Sequence, residues 1–157
     1  LSSAASDVYK RQDLTFFETR RIQMEYVVPL VNDLKEVLGE EAVLDALEKV
    51  SKLRLDRARK QQTIDFTQMG GMVEFYAAGD ALEYEVIGSS ADQFDLDVHV
   101  CRYAEMMEEL GGRDFGHLLI CSGDFVSAKE MGLDLSRSQT LMQGAGSCDF
   151  RYRAEES

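Results

Sequence analysis

Residues 82–100 read LEYEVIGSSADQFDLDVHV, and this stretch decides the fold class. Leu82, Tyr84 and Val86 alternate with Glu83 and Glu85, and Phe94, Leu96, Val98 and Val100 alternate with Asp95, Asp97 and His99. A period of two puts apolar side chains on one face of a strand and polar ones on the other. The two runs are separated by Gly88-Ser89-Ser90 and the turn that follows, so the stretch predicts a hairpin with one face on the core.

On the N-terminal side the period is helical. Phe17, Ile22, Tyr26, Leu30, Leu34 and Leu38 predict a helix from Asp13 to about Leu38, which Gly39 ends and Pro29 should kink or split. A second helix is expected from Glu40 to about Lys60, with a stripe of Val43, Leu47, Val50 and Leu53 or Arg54. Its basic C-terminal half suits the helix dipole, and the charge run Lys52–Lys60 reads as a solvated face. A third helix is expected over Phe66–Ala78, weakened by Gly70-Gly71.

On the C-terminal side, helical period returns at Cys101 and stops at Gly111-Gly112. A further helix is expected from Asp114 to Ala128. Strands then follow over Leu133–Met142 and Cys148–Arg153, joined by a tight turn at Gly144–Gly146. The fold class is therefore α+β: N-terminal helices plus an antiparallel sheet of about four strands, with two helices inserted between hairpins. Residues 1–12, LSSAASDVYKRQ, show neither periodicity and are expected to be a non-native leader, with 13–157 forming a single domain.

The chain carries 29 acidic and 17 basic residues, a net charge of −12, which argues against nucleic acid and against anionic membrane surfaces as partners. A small anionic substrate is compatible with that charge, because one arginine in a pocket overrides the global sign locally. No stretch approaches the roughly 20 apolar residues needed to span a bilayer, and no secretory signal is visible, so a cytoplasmic location is expected. Three cysteines, an odd number without an export signal, do not suggest a disulfide framework.

Three segments carry candidate chemistry. In Cys101-Arg102-Tyr103-Ala104-Glu105, the thiol and carboxylate are four residues apart at a strand-to-helix transition, where a helix N-terminus favours a thiolate. In His117-Leu118-Leu119-Ile120-Cys121-Ser122-Gly123-Asp124, helical spacing predicts His117, Cys121 and Asp124 on one stripe: a base, a thiol and a carboxylate that could activate a nucleophile or ligate a metal. In Gly144-Ala145-Gly146-Ser147-Cys148-Asp149-Phe150-Arg151-Tyr152, strand alternation sends Cys148, Phe150 and Tyr152 one way and Asp149 and Arg151 the other. Each also has a plain structural reading: a packed cysteine, a half-surface helix, a hairpin closing the sheet. None has standard zinc spacing, and there is no P-loop, Rossmann or nucleophile-elbow motif.

Together the three segments resemble the L-2-amino-thiazoline-4-carboxylic acid hydrolase family. Cys101-Arg102-Tyr103-Ala104-Glu105 resembles its C-x-Y-A-E stretch, and Cys121-Ser122-Gly123-Asp124 its C-x-x-D. Arg137 to Ala145 followed by Cys148-Asp149-Phe150-Arg151-Tyr152 resembles its R-T-Q-T-x-M-x-G-A-x-x-C-D-F-R-Y ending. The resemblance is specific from about Leu82 to Tyr152. Ser138 stands where threonine is usual, and His99-Val100 where Thr-Arg often precedes the cysteine.

The resemblance implies an enzyme of cysteine metabolism that opens a 2-amino-thiazoline-4-carboxylate to N-carbamoyl-cysteine. Cys121 or Cys101 would attack as a thiolate or help hold a metal, with Asp124 or Glu105 shuttling the proton and Cys148 completing the site. Arg151 or Arg137 would grip the substrate carboxylate, with Asp149 and His117 beside it. A divalent metal such as zinc on Cys101, Cys121 and Cys148 is the candidate cofactor. A weaker resemblance, to 4-vinyl-reductase-like domains, implies instead a small-molecule sensor whose cysteines hold a structural metal at the edge of an apolar pocket. A third reading is a degenerate family member acting as an interaction module. Because residues 1–12 show no apolar stripe, deleting them should leave the thermal midpoint nearly unchanged in a calorimetric scan; a large fall would identify them as a native element.

Overall fold

The computed structural model describes residues 13–154; the expected leader lies outside the described residues. Helix α1, Phe16–Leu38, starts at a capping box. The Glu18 N–H donates to Thr15 Oγ1 at 3.1 Å, and the Thr15 N–H donates to Glu18 Oε2 at 2.7 Å. It ends at Gly39, whose φ of 91° few other residues adopt readily. Contrary to expectation, Pro29 does not split α1, which runs through it as one 23-residue helix. Packing of the buried stripe outweighs the one backbone hydrogen bond that proline removes.

That buried stripe is Phe17, Met24, Val28 and Val31. The stripe expected from the sequence is mostly on the other side: Ile22, Tyr26 and Leu38 are 56, 74 and 61% exposed. Helix α2, Glu40–Arg57, likewise buries Val43 but leaves Val50 and Leu53 exposed, and it ends three residues before Lys60. Both helices carry apolar residues on more than one face. Periodicity detects a face; only the neighbouring elements select which one is covered.

A 3-10 turn at Phe66–Gln68, opened by Asp65, leads into α3, Met69–Ala77. The expected hairpin follows as β1, Leu82–Ser89, and β2, Gln93–Cys101, paired antiparallel with irregularities at Glu83/Tyr84 and Val86/Gly88. Helix α4, Arg102–Leu110, begins directly at the end of β2 and stops at Gly111. The next helical segment is continuous but not uniform: α5, Arg113–Gly116, a π-turn at His117–Cys121, and α6, Ser122–Glu130.

The strand expected over Leu133–Met142 is only β3, Leu133–Ser136. Beyond it, Asp149 accepts hydrogen bonds from the N–H groups of Ser138 and Gln139, and Thr140 caps a 3-10 turn at Leu141–Gln143. These side chains offer the backbone an alternative to the ladder. The final strand, β4, is Cys148–Ala154. The sheet has the order β1-β2-β4-β3, every neighbouring pair antiparallel, so the last strand sits inside it and pairs Val98 with Cys148 and Phe94 with Tyr152.

Two buried clusters form the core. One joins α1, α2, α4 and α5 through Phe17, Val28, Val43, Met106, Met107 and Phe115; the other joins the sheet to α3 and α6 through Val73, Leu96, Val98, Ala128 and Cys148. The sheet thus has one face under helices, which accounts for the clean alternation of β2. No described helix is long and apolar enough to cross a membrane.

Gly112 shows how tightly the first cluster is closed. A Cβ placed there would lie 2.9 Å from Met107 Cε, 2.9 Å from Val28 Cγ2 and 3.0 Å from Phe115 Cε2, all three side chains being fully buried. Gly112→Ala should therefore destabilise the protein by about 1–3 kcal/mol through overpacking. Urea unfolding checks this, and an unchanged midpoint would show that the cluster has room to give.

Candidate active site

A cavity of about 140 Å³ lies where the two core clusters meet. Its polar lining comes from five places. Arg20 projects from α1, Tyr76 from α3, and Cys101 and Tyr103 from the β2–α4 junction. Cys121, Asp124 and Ser127 come from the π-turn and α6, and Arg137 and Cys148 from either side of the β3–β4 connection. Most of the wall is apolar, including Met72, Leu96, Val98 and Phe150. An engineered apolar cavity of about 150 Å³ takes up benzene, so this space suits one small ring.

The three cysteines, far apart in sequence, thus face one space; Cys148 opposes ionisation of Cys101, and Cys101 and Cys148 oppose that of Cys121. Cys101 sits at the N-cap of α4, where the N–H groups of Tyr103 and Ala104 favour its thiolate. Burial nevertheless dominates and pushes the Cys101 thiol up to about 11. The thiolate expected there from the helix dipole is therefore not preformed. Burial, reinforced by Asp124, also raises Cys121, with Arg137 opposing. Burial raises Cys148 despite the Leu141 N–H, which donates to its Sγ at 3.2 Å.

Arg137 and Asp124 form the charged centre. Arg137 Nη1 donates to Asp124 Oδ2 at 2.5 Å, and Nη2 donates to the Cys121 carbonyl at 3.0 Å. The guanidinium lies over the rings of Phe125 and Phe150, with centroids at 5.1 and 4.9 Å. The Arg137 side chain is 5% exposed, whereas Asp124 keeps 38%; since Asp124 also lines the cavity, its carboxylate is open to whatever the cavity holds. Burial raises the Asp124 carboxyl above its ordinary value, and the Arg137 charge and hydrogen bond restrain that rise.

The other expected site residues stand elsewhere. His117 does not share a stripe with Cys121 and Asp124. The Ser122 N–H bonds the His117 carbonyl five residues back, and the extra residue in that turn offsets the α-helical register by about 100°. His117 faces a cleft with Glu40, Glu41, Asp45, Glu48 and Asp114, where burial lowers its pKa against the pull of Asp114 and Glu48. Glu105 is exposed on α4 and does not line the cavity. Arg151 lies on the other side of β4, 2.8 Å from Asp97 Oδ1, and donates to the Leu96 and Phe150 carbonyls. Asp149 is engaged by the backbone of Ser138 and Gln139 and by the Ser138 hydroxyl at 2.6 Å, which pins the loop carrying Arg137. Serine at position 138 thus supplies the same hydroxyl that threonine would, and His99 is exposed and outside the cavity.

Arg20, Tyr76, Tyr103 and Ser127 line the cavity without having been singled out in the sequence. Tyr103 had a signal, as the tyrosine of the Cys101–Glu105 segment; its hydroxyl donates to the Tyr76 carbonyl at 2.9 Å. Arg20 had none, since nothing local ties α1 to a site assembled mainly from residues beyond 72. As for a metal, no group of three His, Cys, Asp or Glu side chains among the described residues is arranged to hold one. The three thiols share the cavity without forming such a set. With all three thiols protonated at neutral pH, iodoacetamide should modify them slowly at pH 7.5. For Cys101 the rate should keep rising toward about pH 11. A rate that levels off below pH 8, followed by mass spectrometry of the labelled peptides, would show a preformed thiolate.

The sequence model of the L-2-amino-thiazoline-4-carboxylic acid hydrolase family matches residues 19–152. No curated protein matches the chain. The matched span opens one residue before Arg20 and closes at Tyr152, so it takes in all the ionisable residues of the cavity. With its three cysteines, Asp124 and Arg137 inside that match, the chain belongs to the L-2-amino-thiazoline-4-carboxylic acid hydrolase family.

Proposed function

We propose that the protein opens the ring of a 2-amino-thiazoline-4-carboxylate by adding water at C2, yielding N-carbamoyl-cysteine, with Asp124 as general base and then general acid. The observation that carries this reading is the Asp124 carboxylate, turned to the cavity, held by Arg137 and raised in pKa by burial. A carboxylate so raised is a stronger base than an exposed one and can hand the proton back. Asp124 takes a proton as the water oxygen bonds to C2. The C2–S bond then breaks, its electron pair staying on sulfur, and Asp124 delivers the proton there. The second water proton ends on the ring nitrogen, so the products are a urea and a thiol and nothing further is consumed.

Arg137 acts as a positioning residue. Its contacts to Asp124 and the Cys121 carbonyl tie the base to the π-turn, and its charge keeps the carboxylate able to ionise in a mostly apolar cavity. Cys121, beside Asp124, supports a covalent variant in which Asp124 deprotonates the thiol and sulfur attacks C2 before water does. The apolar majority of the wall favours the second function, a sensor that binds a small ring without turning it over.

Purified protein treated with a chelator and given 2-amino-thiazoline-4-carboxylate should release new thiol. Asp124→Asn should lose roughly 10²- to 10⁴-fold in kcat, the range of a general acid–base group. Because the base form is required, kcat/KM should fall as pH drops through the Asp124 pKa, at a pH above that of an ordinary carboxylate. Cys121→Ser separates the two variants: abolished turnover assigns the covalent route, retained turnover the direct attack of water. Activity lost to the chelator and restored by zinc would overturn the metal-free reading, and binding without thiol release would favour the sensor.

A further inference from the structure

Arg137 is committed to Asp124, and Arg151 does not reach the cavity, so neither arginine expected from the sequence is free to hold a substrate anion. Arg20 is differently placed. It lines the cavity from the first turns of α1, and its guanidinium lies 5.0 Å from the centroid of the Phe16 ring. Its one hydrogen bond among the described residues is from Nη1 to Gln23 Oε1 at 2.8 Å, and no carboxylate among them pairs with it. Arg54, Arg57, Arg59 and Arg102 also lack a carboxylate partner among the described residues, but none of them lines the cavity. The other arginine of the cavity, Arg137, is paired with Asp124, and Arg21, the next residue of α1, with Glu25 and Glu109. A guanidinium has five N–H donors in a planar fork that matches a carboxylate.

We propose that Arg20 is the anion anchor of the cavity and sets its specificity for small rings bearing a carboxylate. The proposal rests on the ring-opening reading for the identity of the ring, but the anchor itself is a binding claim. Inside the cavity the Arg137–Asp124 pair is internally neutral, leaving Arg20 as the uncompensated charge among the described lining residues. The contact with Phe16 restrains the guanidinium, and the N–H donors not bonded to Gln23 remain for the ligand. Anchoring at Arg20 would fix the ring within the cavity and turn C2 toward Asp124, so the same contact that selects the substrate orients it.

The test compares 2-amino-thiazoline-4-carboxylate with its uncharged carboxamide, on wild type, Arg20→Gln and Arg20→Lys. Calorimetric Kd values are measured on each with Asp124 intact, using the matching thiazolidine-4-carboxylate and carboxamide wherever the 2-amino-thiazoline is turned over, and kcat and KM on the substrate itself. Arg20→Gln should weaken the carboxylate by roughly 10- to 100-fold, the cost of a charged hydrogen-bonded contact, and should erase the preference over the carboxamide. KM should rise more than kcat falls, and Arg20→Lys should recover part of the affinity, which a purely structural role would not do. An unchanged carboxylate-to-carboxamide ratio in Arg20→Gln overturns the anchor, as does failure of wild type to bind either compound. If wild type binds the carboxylate in an Arg20-dependent way but releases no thiol, the anchor stands and the ring-opening reading fails.

Discussion

The contact between the buried Arg137 guanidinium and Asp124 is the constraint on which the rest of the site depends. A guanidinium that is 5% exposed has surrendered its hydration, and only a close carboxylate and a carbonyl make that tolerable. Meeting this demand joins the loop after β3 to the π-turn and α6, and the rings of Phe125 and Phe150 pack on the guanidinium. Arg137 thereby also determines where Asp124 points, which makes a structural requirement and a chemical one the same contact.

The supports of that contact form a chain of local solutions. Asp149 satisfies the backbone of Ser138 and Gln139, holding the segment that delivers Arg137. The antiparallel pairing of β2 with β4 sets Val98 against Cys148 and places the Cys148 thiol on the covered face. The abrupt passage from β2 into α4 places Cys101 and Tyr103 in the cavity wall without an intervening loop. The π-turn costs an ideal helix turn and in return rotates His117 away, so the cavity holds a carboxylate and thiols but no imidazole.

Burial explains the state of the thiols. Cysteine at a helix N-terminus is usually read as activated, and the N–H groups around Cys101 do act in that direction. In a mostly apolar cavity shared with two more thiols and a carboxylate, desolvation and like charge outweigh them. The cavity therefore holds its three thiols in the protonated form.

Much was legible in the chain alone. The alternation over Leu82–Val100 determined the hairpin, because a period of two permits only a half-buried strand. The glycines at positions 39, 111 and 112 marked helix ends, and the three cysteine segments identified the family. Tertiary structure alone decided which stripe of α1 is covered, since Phe17, Met24, Val28, Val31 and the Ile22–Leu38 series are both apolar and only the neighbouring helices choose. It also decided that Pro29 stays within its helix, that the strand after Gly132 ends at Ser136, and that His117 leaves the site. Each of these turns on contacts between residues distant in sequence, or on a single irregular hydrogen bond. Arg20 is the clearest case: nothing near it in sequence marks it, and its place in the cavity follows from the packing of α1 against elements that begin some fifty residues later.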